Sequence, residues 1–241
     1  MSTSISVIVR SKNEEKTVGR TLRSIWEQSL QPREVILIDN ASTDRTKDIA
    51  RDFGCTIVNI SDDAFNHATS CNIGAARSTG DLMVFTNAHA FPTSPEWLRT
   101  GVEHFTDSRV AGVYGLPLVD GRASLPERLV ETSKGILFGR PGFRVISQAS
   151  IFCGLGLMST SGAMLRRDLW EAHPFDVGVS ARGGGEDSEW GFYFLRQGYR
   201  IIEDAKFAVY HCHGDSVIKY LKRSYSYYLT YFHAYRRSRA N

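Results

Sequence analysis

Two histidines one residue apart, His211 and His213, lie late in the chain, and a third, His89, closes the triplet Asn87-Ala88-His89. On an extended segment His211 and His213 point to the same face while Cys212 points away. Three imidazoles could then converge on one cation, and nitrogen ligands suit manganese or zinc better than magnesium. The competing reading is structural, with each ring satisfied inside the fold. A second cluster, Glu186-Asp187-Ser188-Glu189, follows three consecutive glycines, Gly183 to Gly185. Carboxylates at the start of a helix are favoured by the backbone dipole and by capping. Capping alone leaves the glycines unexplained, whereas a backbone that must pass close to a bound molecule needs them.

The elements that would position these groups follow from hydrophobic patterning. Short β-rich runs at Ile5 to Val9, Glu34 to Ile38, Thr56 to Ile60, Leu82 to Thr86 and Val110 to Tyr114 alternate with amphipathic segments. Val18, Leu22 and Ile25 recur at helical spacing, and Ser42 to Phe53 reads as a helix with polar caps. Such alternation predicts a parallel sheet covered by helices. Ligands of open parallel sheets bind beyond the carboxyl ends of the strands. Those positions are polar here: Arg10, Ser11, Asn13, Glu14 and Glu15 after the first run, Asp39, Asn40, Ser42, Thr43 and Asp44 after the second, Asn87 and His89 after the fourth. Asp39 could accept a pyrimidine imide N–H or a ribose hydroxyl, while Ser42 and Asp44 read as caps of the next helix. Later runs predict helices at Ala163 to Glu171 and Glu186 to Gln197, then strands at Tyr199 to Ile202 and Phe207 to His211.

Four segments, "SVIVRSKNEEKTVGRTLRSIWEQ", "EVILIDNASTDRT", "NIGAARSTGDLMVFTNAHAFP" and "GGEDSEWGFYFLRQGYRI", resemble a family 2 glycosyltransferase in order and spacing, from about Ile5 to His213. The resemblance implies the GT-A fold, a single α/β domain with a mainly parallel central sheet. It also implies inverting, hexosyltransferase-like transfer of a sugar from a nucleoside diphosphate donor to a saccharide or lipid-linked acceptor, in bacterial polysaccharide or glycolipid assembly. Asp39 would correspond to the base-contacting aspartate, and Arg10, Ser11 and Glu14 to a nucleoside-contacting loop, with Asn72 and Asn87 also on the donor side. Asp187 would be the general base. Glu186, Trp190, Ser161 and Gly162 would face the acceptor, Trp190 as an apolar platform or else as a core aromatic. A helix N-terminus would depress the Asp187 pKa. The chain departs from the family where Asn87-Ala88-His89 replaces the usual Asp-x-Asp. This leaves two expectations: a divalent cation held by His89, His211 and His213, Mn²⁺ favoured over Mg²⁺, or metal independence. Two rival functions follow from the same departure, a nucleotide-sugar-binding protein without activity and a His/Asp metal-dependent hydrolase.

At 241 residues, 42% hydrophobic and 23% charged, the sequence is that of a globular protein with a substantial core. The reading divides it into a catalytic domain over 1–215, with a nucleotide-binding half to about 115 and an acceptor half from about 116, and a helix over 216–241. The net charge of +3 hides an asymmetry: from Val217 onward there are six Lys/Arg and no acid, which leaves 23 basic against 26 acidic residues in the body. In this tail Ile218, Leu221, Tyr225, Tyr228, Leu229, Phe232 and Tyr235 recur at three- and four-residue steps. A basic, aromatic amphipathic helix suits an anionic membrane surface or packing against the body or a second copy. An acidic body and the lack of a recognition motif argue against nucleic acid. Four scattered cysteines without a C-x-x-C pair predict a reducing cytoplasmic home, peripheral to the inner membrane face if the tail binds lipid. The uncharged run Val145 to Leu165 is too rich in Ser, Thr and Gly to predict a membrane span.

Overall fold

The structure is a computed structural model that describes residues 3–130, 142–152, 157–180 and 183–239. In chain order the elements that matter are β1 (Ile5–Ser11), α1 (Val18–Trp26), β2 (Glu34–Asn40), α2 (Thr46–Asp52), β3 (Thr56–Ile60), α3 (His67–Arg77), β4 (Leu82–Asn87), β5 (Phe91–Pro92), α4 (Trp97–Glu103) and β6 (Val110–Tyr114). They continue with β7 (Phe143–Ile146), β8 (Gly162–Arg166), α5 (Arg167–Ala172), α6 (Val177–Ser180), α7 (Glu186–Arg196), β9 (Arg200–Asp204), β10 (Val209–Tyr210) and α8 (Val217–Arg237).

The near-continuous apolar runs of β1, β2 and β4 are central strands because helices cover both of their faces. Side chains alternate between two cores: Ile8, Ile36, Ile38 and Phe85 enter one, and Val7, Val9, Leu37 and Val84 enter the other. α1 lays the predicted Val18, Leu22 and Ile25 onto the second core, together with Thr21. α3 is capped by Asn66, whose side chain accepts from the Thr69 N–H.

The main sheet has eight strands in the order β3-β2-β1-β4-β8-β6-β9-β7. β3, β2, β1, β4, β6 and β9 run one way, and β8 and β7 run against them. This is the mainly parallel, helix-flanked α/β sheet that the sequence predicts. The chain order reverses between β1 and β4, where Arg10 and Asn87 are paired in register. A crevice opens at such a reversal.

The strand expected over Phe207 to His211 shrinks to Val209–Tyr210, and a second expectation fails outright. The helix expected over Ala163 to Glu171 begins as strand β8, and only Arg167–Ala172 is helical. Ala163, Met164 and Leu165 fill the gap between β4 and β6 and pair with both. A short apolar run carries no period that separates strand from helix, so the sheet decides. Cys55, Cys71 and Cys212 are free thiols, and Cys153 lies outside the described residues. Among the described residues no helix is long and apolar enough to cross a membrane.

Candidate active site

The carboxyl ends of β1 and β2 are joined by loops that hold each other. Asn13 accepts from the Thr43 N–H, Ser42 from the Asn13 N–H, Thr46 from the Glu14 N–H and Asp44 from the Glu15 N–H. Asn13 and Ala41 adopt positive φ, 54° and 50°. For alanine this is a strained conformation, sustained by the surrounding bonds. Asp39, at the end of β2, is 0% exposed. Its carboxylate accepts from the Ser42 N–H at 2.9 Å, has Ser11 Oγ at 3.5 Å and Lys47 Nζ at 3.7 Å. Asp39 therefore caps the turn that follows β2, and Asp44 Oδ1 accepts the Thr46 N–H at the start of α2, as its reading as a cap expects.

The residue that binds the two halves of the crevice together is Arg10. Its guanidinium donates to Asn87 Oδ1 at 3.0 Å and Thr160 Oγ1 at 3.1 Å, meets His67 Nδ1 at 2.8 Å, and lies 4.0 Å from Glu186. Burial alone would lower its pKa, but Cys71, Glu186 and Asp187 around it reverse the sign. His67 is driven down to about 4 by burial and by Arg10, so it is neutral and accepts the Arg10 proton at Nδ1. Thr160 extends the network: its N–H donates to Asp187 Oδ2 at 3.0 Å and its Oγ1 to Glu186 Oε1 at 3.2 Å. Asn87 Nδ2 donates to Ser161 Oγ at 2.9 Å, which ties β4 to the loop before β8.

The acid pair opens α7 behind Gly183, Gly184 and Gly185, whose φ values of 97°, 114° and 94° are the left-handed conformations that glycine permits. Glu186 is buried and takes hydrogen bonds from Thr160 and Ser180. Asp187 keeps some exposed surface but is closely surrounded by protein. Burial, and then the Glu186 charge beside it, push its pKa up to about 7 against the Thr160 and Ser188 N–H groups and Arg10. The expected depression by the helix terminus is thus overturned: desolvation and a like charge outweigh two backbone N–H groups.

The three histidines converge although β10 ends at Tyr210, before His211. Their candidate ligand atoms lie within 4.8 Å of one another, with His89 Nε2 and His211 Nε2 2.9 Å apart. His89 Nδ1–H donates to Glu14 Oε1 at 2.6 Å, which leaves the Nε2 lone pair facing the other rings. Burial holds His211 well below its usual pKa, and burial with Arg223 and His89 lowers His213 to about 4. Neutral imidazoles with one ring oriented by a carboxylate form a donor set that fits a divalent cation of the manganese or zinc type. A cleft of about 280 Å³ adjoins them, lined by Glu14, Thr17, His89, Arg122, Cys212, His213 and Gly214. A larger cavity of about 490 Å³ lies at the opposite end of the sheet, beside Arg109, Arg166 and Asp168. There Arg166 donates to the Val110, Phe105 and Asp107 carbonyls, so its guanidinium serves the fold. Burial pushes the Glu14 carboxyl up, but the His89 and Thr17 hydrogen bonds and the His89 and His213 rings together hold it below the usual carboxylate range. Glu14→Gln should weaken Mn²⁺ binding by about 10- to 100-fold, measured by titration calorimetry; unchanged affinity would remove Glu14 from the site.

Several sequence-predicted residues take other places. Asn72 is consumed inside the fold: its Nδ2 donates to the Phe175 carbonyl, and its Oδ1 accepts from Trp170 Nε1 and the Phe175 N–H. Trp190 is 0% exposed, packed between Phe175 and Phe194, and presents no platform to a sugar. Gly162 is a buried residue of β8 whose missing side chain makes room for Val209. Glu186 faces inward to Thr160, Ser180 and Arg10, and Glu14 is turned to His89. The sequence reading missed His67 and Thr160. Neither belongs to a recognisable motif, although Thr160 adjoins the singled-out Ser161.

The sequence profile of the family described as Glycosyl transferase family 2 matches residues 6–173. A 4,4'-diaponeurosporenoate glycosyltransferase of Staphylococcus haemolyticus is 29% identical over 118 residues, which are 47% of this chain and 31% of that protein. An O-antigen chain rhamnosyltransferase of Salmonella typhimurium is 26% identical over 219 residues, 87% of this chain and 67% of that protein. The chain thus spans less than a third of the staphylococcal relative. Among solved structures, a mannosyltransferase of Pyrobaculum calidifontis in complex with GDP-Man and Mn²⁺ superposes with a TM-score of 0.65. It is 19% identical, and the match covers 100% of this chain and 74% of that one, a likeness of fold.

Proposed function

The chain belongs to glycosyl transferase family 2, and from that premise we propose that it moves a sugar from a nucleoside diphosphate donor to an acceptor hydroxyl with inversion at the anomeric carbon. The observation that carries the reading is Asp187, a carboxylate raised to about 7, beside Glu186 and tied through Thr160 to the strand-end residue Arg10. A base whose pKa lies near the working pH combines a useful ionised fraction with real proton affinity.

In the proposed reaction the acceptor oxygen forms a bond to the anomeric carbon while Asp187 takes its proton. The bond from that carbon to the diphosphate oxygen breaks, and its electron pair leaves with the nucleoside diphosphate. Attack from the face opposite the leaving group inverts the configuration. Thr160 N–H and Ser188 N–H orient the base, and the Arg10 guanidinium lies 4.0 Å from the neighbouring Glu186 carboxylate. His89, His211 and His213 would hold a divalent cation, which would supply positive charge to the departing diphosphate. Asp39 and the Ser11 to Glu15 loop bound the nucleoside side, with Lys47 Nζ 3.7 Å from the Asp39 carboxylate. The names of the relatives support a place in polysaccharide or glycolipid assembly.

The test is a thermal-shift panel of nucleoside diphosphates and their sugars, with and without Mn²⁺. Ligand at about 100 times its Kd stabilises the folded state by about 2.7 kcal/mol. The expected result is stabilisation by one base series, larger with Mn²⁺. No shift with any nucleoside diphosphate would contradict the reading.

A further inference from the structure

Among the described residues, α8 is docked on the body by one face and exposed on the other. Tyr231 and Ala234 are buried against α7, where Phe192 meets the Tyr231 and Tyr235 rings at 5.3 and 5.0 Å. Arg223 reaches Glu127 at 3.2 Å and Asp215 at 2.7 Å, and Arg237 reaches Asp176 at 2.8 Å. Glu127 also accepts the His213 and Gly214 N–H groups, so the same carboxylate fixes the helix and the histidine loop. At Gly185, which precedes the acid pair, a side-chain methyl would come within 3.2 Å of the Thr230 carbonyl. Tyr227, on the inward side, lies within the fields of Asp187, Arg10 and Glu186. α8 therefore forms a wall of the candidate site.

The outward face has the opposite character. Helical spacing places Ile218, Leu221, Tyr225, Tyr228 and Leu229 in one stripe, and Ile218, Leu221 and Tyr225 are 68%, 60% and 66% exposed. Lys222 and Arg236 lie in or beside that stripe, and the tail contains no acid from Val217 onward. The acids that neutralise other tail cations, Glu127, Asp215 and Asp176, all sit on the body side. An apolar aromatic stripe flanked by positive charge that no acid among the described residues pairs with is complementary to an anionic bilayer surface, into which it can sink to the acyl boundary.

We infer that the outward face of α8 seats the protein on an anionic membrane, and that the acceptor is carried by a lipid. The second clause rests on the sugar-transfer reading above. A helix with its side chains is about 10–12 Å across, so the acid pair on the inward side stands roughly one helix diameter from the lipid surface. A hydroxyl on a membrane-anchored headgroup can reach across that distance, while the chain's own cleft stays out of the lipid.

The experiment is flotation of the full chain with phosphatidylcholine vesicles, with and without phosphatidylglycerol. The expected result is co-flotation with the anionic vesicles only, reversed at high salt. The double variant Leu221→Ser, Tyr225→Ser should lower the bound fraction by about tenfold or more, as loss of two buried apolar groups requires, with an unchanged Tm. Lys222→Glu should weaken binding without touching the apolar stripe. Failure of the wild-type protein to float with either vesicle overturns the inference. So does a wild-type dimer that the double variant converts to monomer, because the stripe then covers a second copy. Flotation needs neither donor nor turnover. A protein that floats but transfers no sugar refutes the transfer reading alone, and one that transfers but does not float refutes membrane seating alone.

Discussion

Asp187→Asn should lower turnover by about two orders of magnitude or more, in keeping with the loss of a positioned general base, while leaving donor binding intact. Asparagine keeps the size of the side chain and one acceptor for the Thr160 or Ser188 N–H, but it cannot take a proton. The pH profile adds a second signature. With the base at about 7, wild-type kcat should rise with pH through neutrality and level off above it, whereas the variant should be flat and low. Stability should move the other way. A carboxylate whose folded pKa lies above its unfolded value binds its proton more tightly when folded, so its contribution is present below the ordinary aspartate value of 3.8 and is lost as pH rises to about 7. The Tm of Asp187→Asn should therefore gain on wild type as pH increases across that window. Near-wild-type turnover, or a Tm difference independent of pH, would remove Asp187 from this role.

Arg10→Met should be the most damaging change to the fold at the site. The guanidinium side chain is 10% exposed and serves Asn87, Thr160 and His67, with Glu186 4.0 Å away. Removing one partner of a buried pair typically costs about 3–5 kcal/mol, because the other charge is left uncompensated. The positive charge also opposes the rise in the Asp187 pKa, so the ascending limb of the rate profile should move to higher pH. Arg10→Lys separates the two effects. It restores the charge and hence the limb, but a single ammonium cannot reproduce the fork to Asn87 and Thr160, so stability stays low. Denaturant unfolding and a kcat profile on both variants decide the point. If Met and Lys leave the limb where it is, Arg10 serves the fold and not the base.

The nucleotide-binding side of this molecule was legible because its strands are long apolar runs with polar ends. Val7, Val9, Leu37 and Val84 announce a buried parallel sheet, and the polar residues after each run mark the crevice. The His211/His213 pairing was legible from spacing and the addition of His89 from the family resemblance, although the geometry comes from the turn after β10 and from Glu14. What could not be read was long-range partnership. Thr160 and His67 matter through contacts 150 and 57 residues away from Arg10, which no local pattern encodes. Asn72 misled for the complementary reason, and the two readings of Trp190, platform or core aromatic, could not be separated for the same one. Both lie on helices close to motif residues, and only the packing of Phe175, Trp170 and Phe194 shows that they face inward. The Asp187 pKa misled because a helix terminus is a local feature, whereas burial and the inward turn of Glu186 are properties of the folded site. β8 was hidden because its residues acquire strand character from β4 and β6 on either side.

Sugar transfer as proposed depends on Asp187 acting as the base. Its most direct test is acceptor-dependent release of nucleoside diphosphate, followed from acid to alkaline pH for wild type and Asp187→Asn with the donor that the thermal-shift panel selects. The predicted result is release that requires acceptor, rises through about pH 7 in the wild type and is suppressed about a hundredfold or more in the variant. Superimposable profiles for the two proteins, or release that proceeds equally well without acceptor, would contradict it.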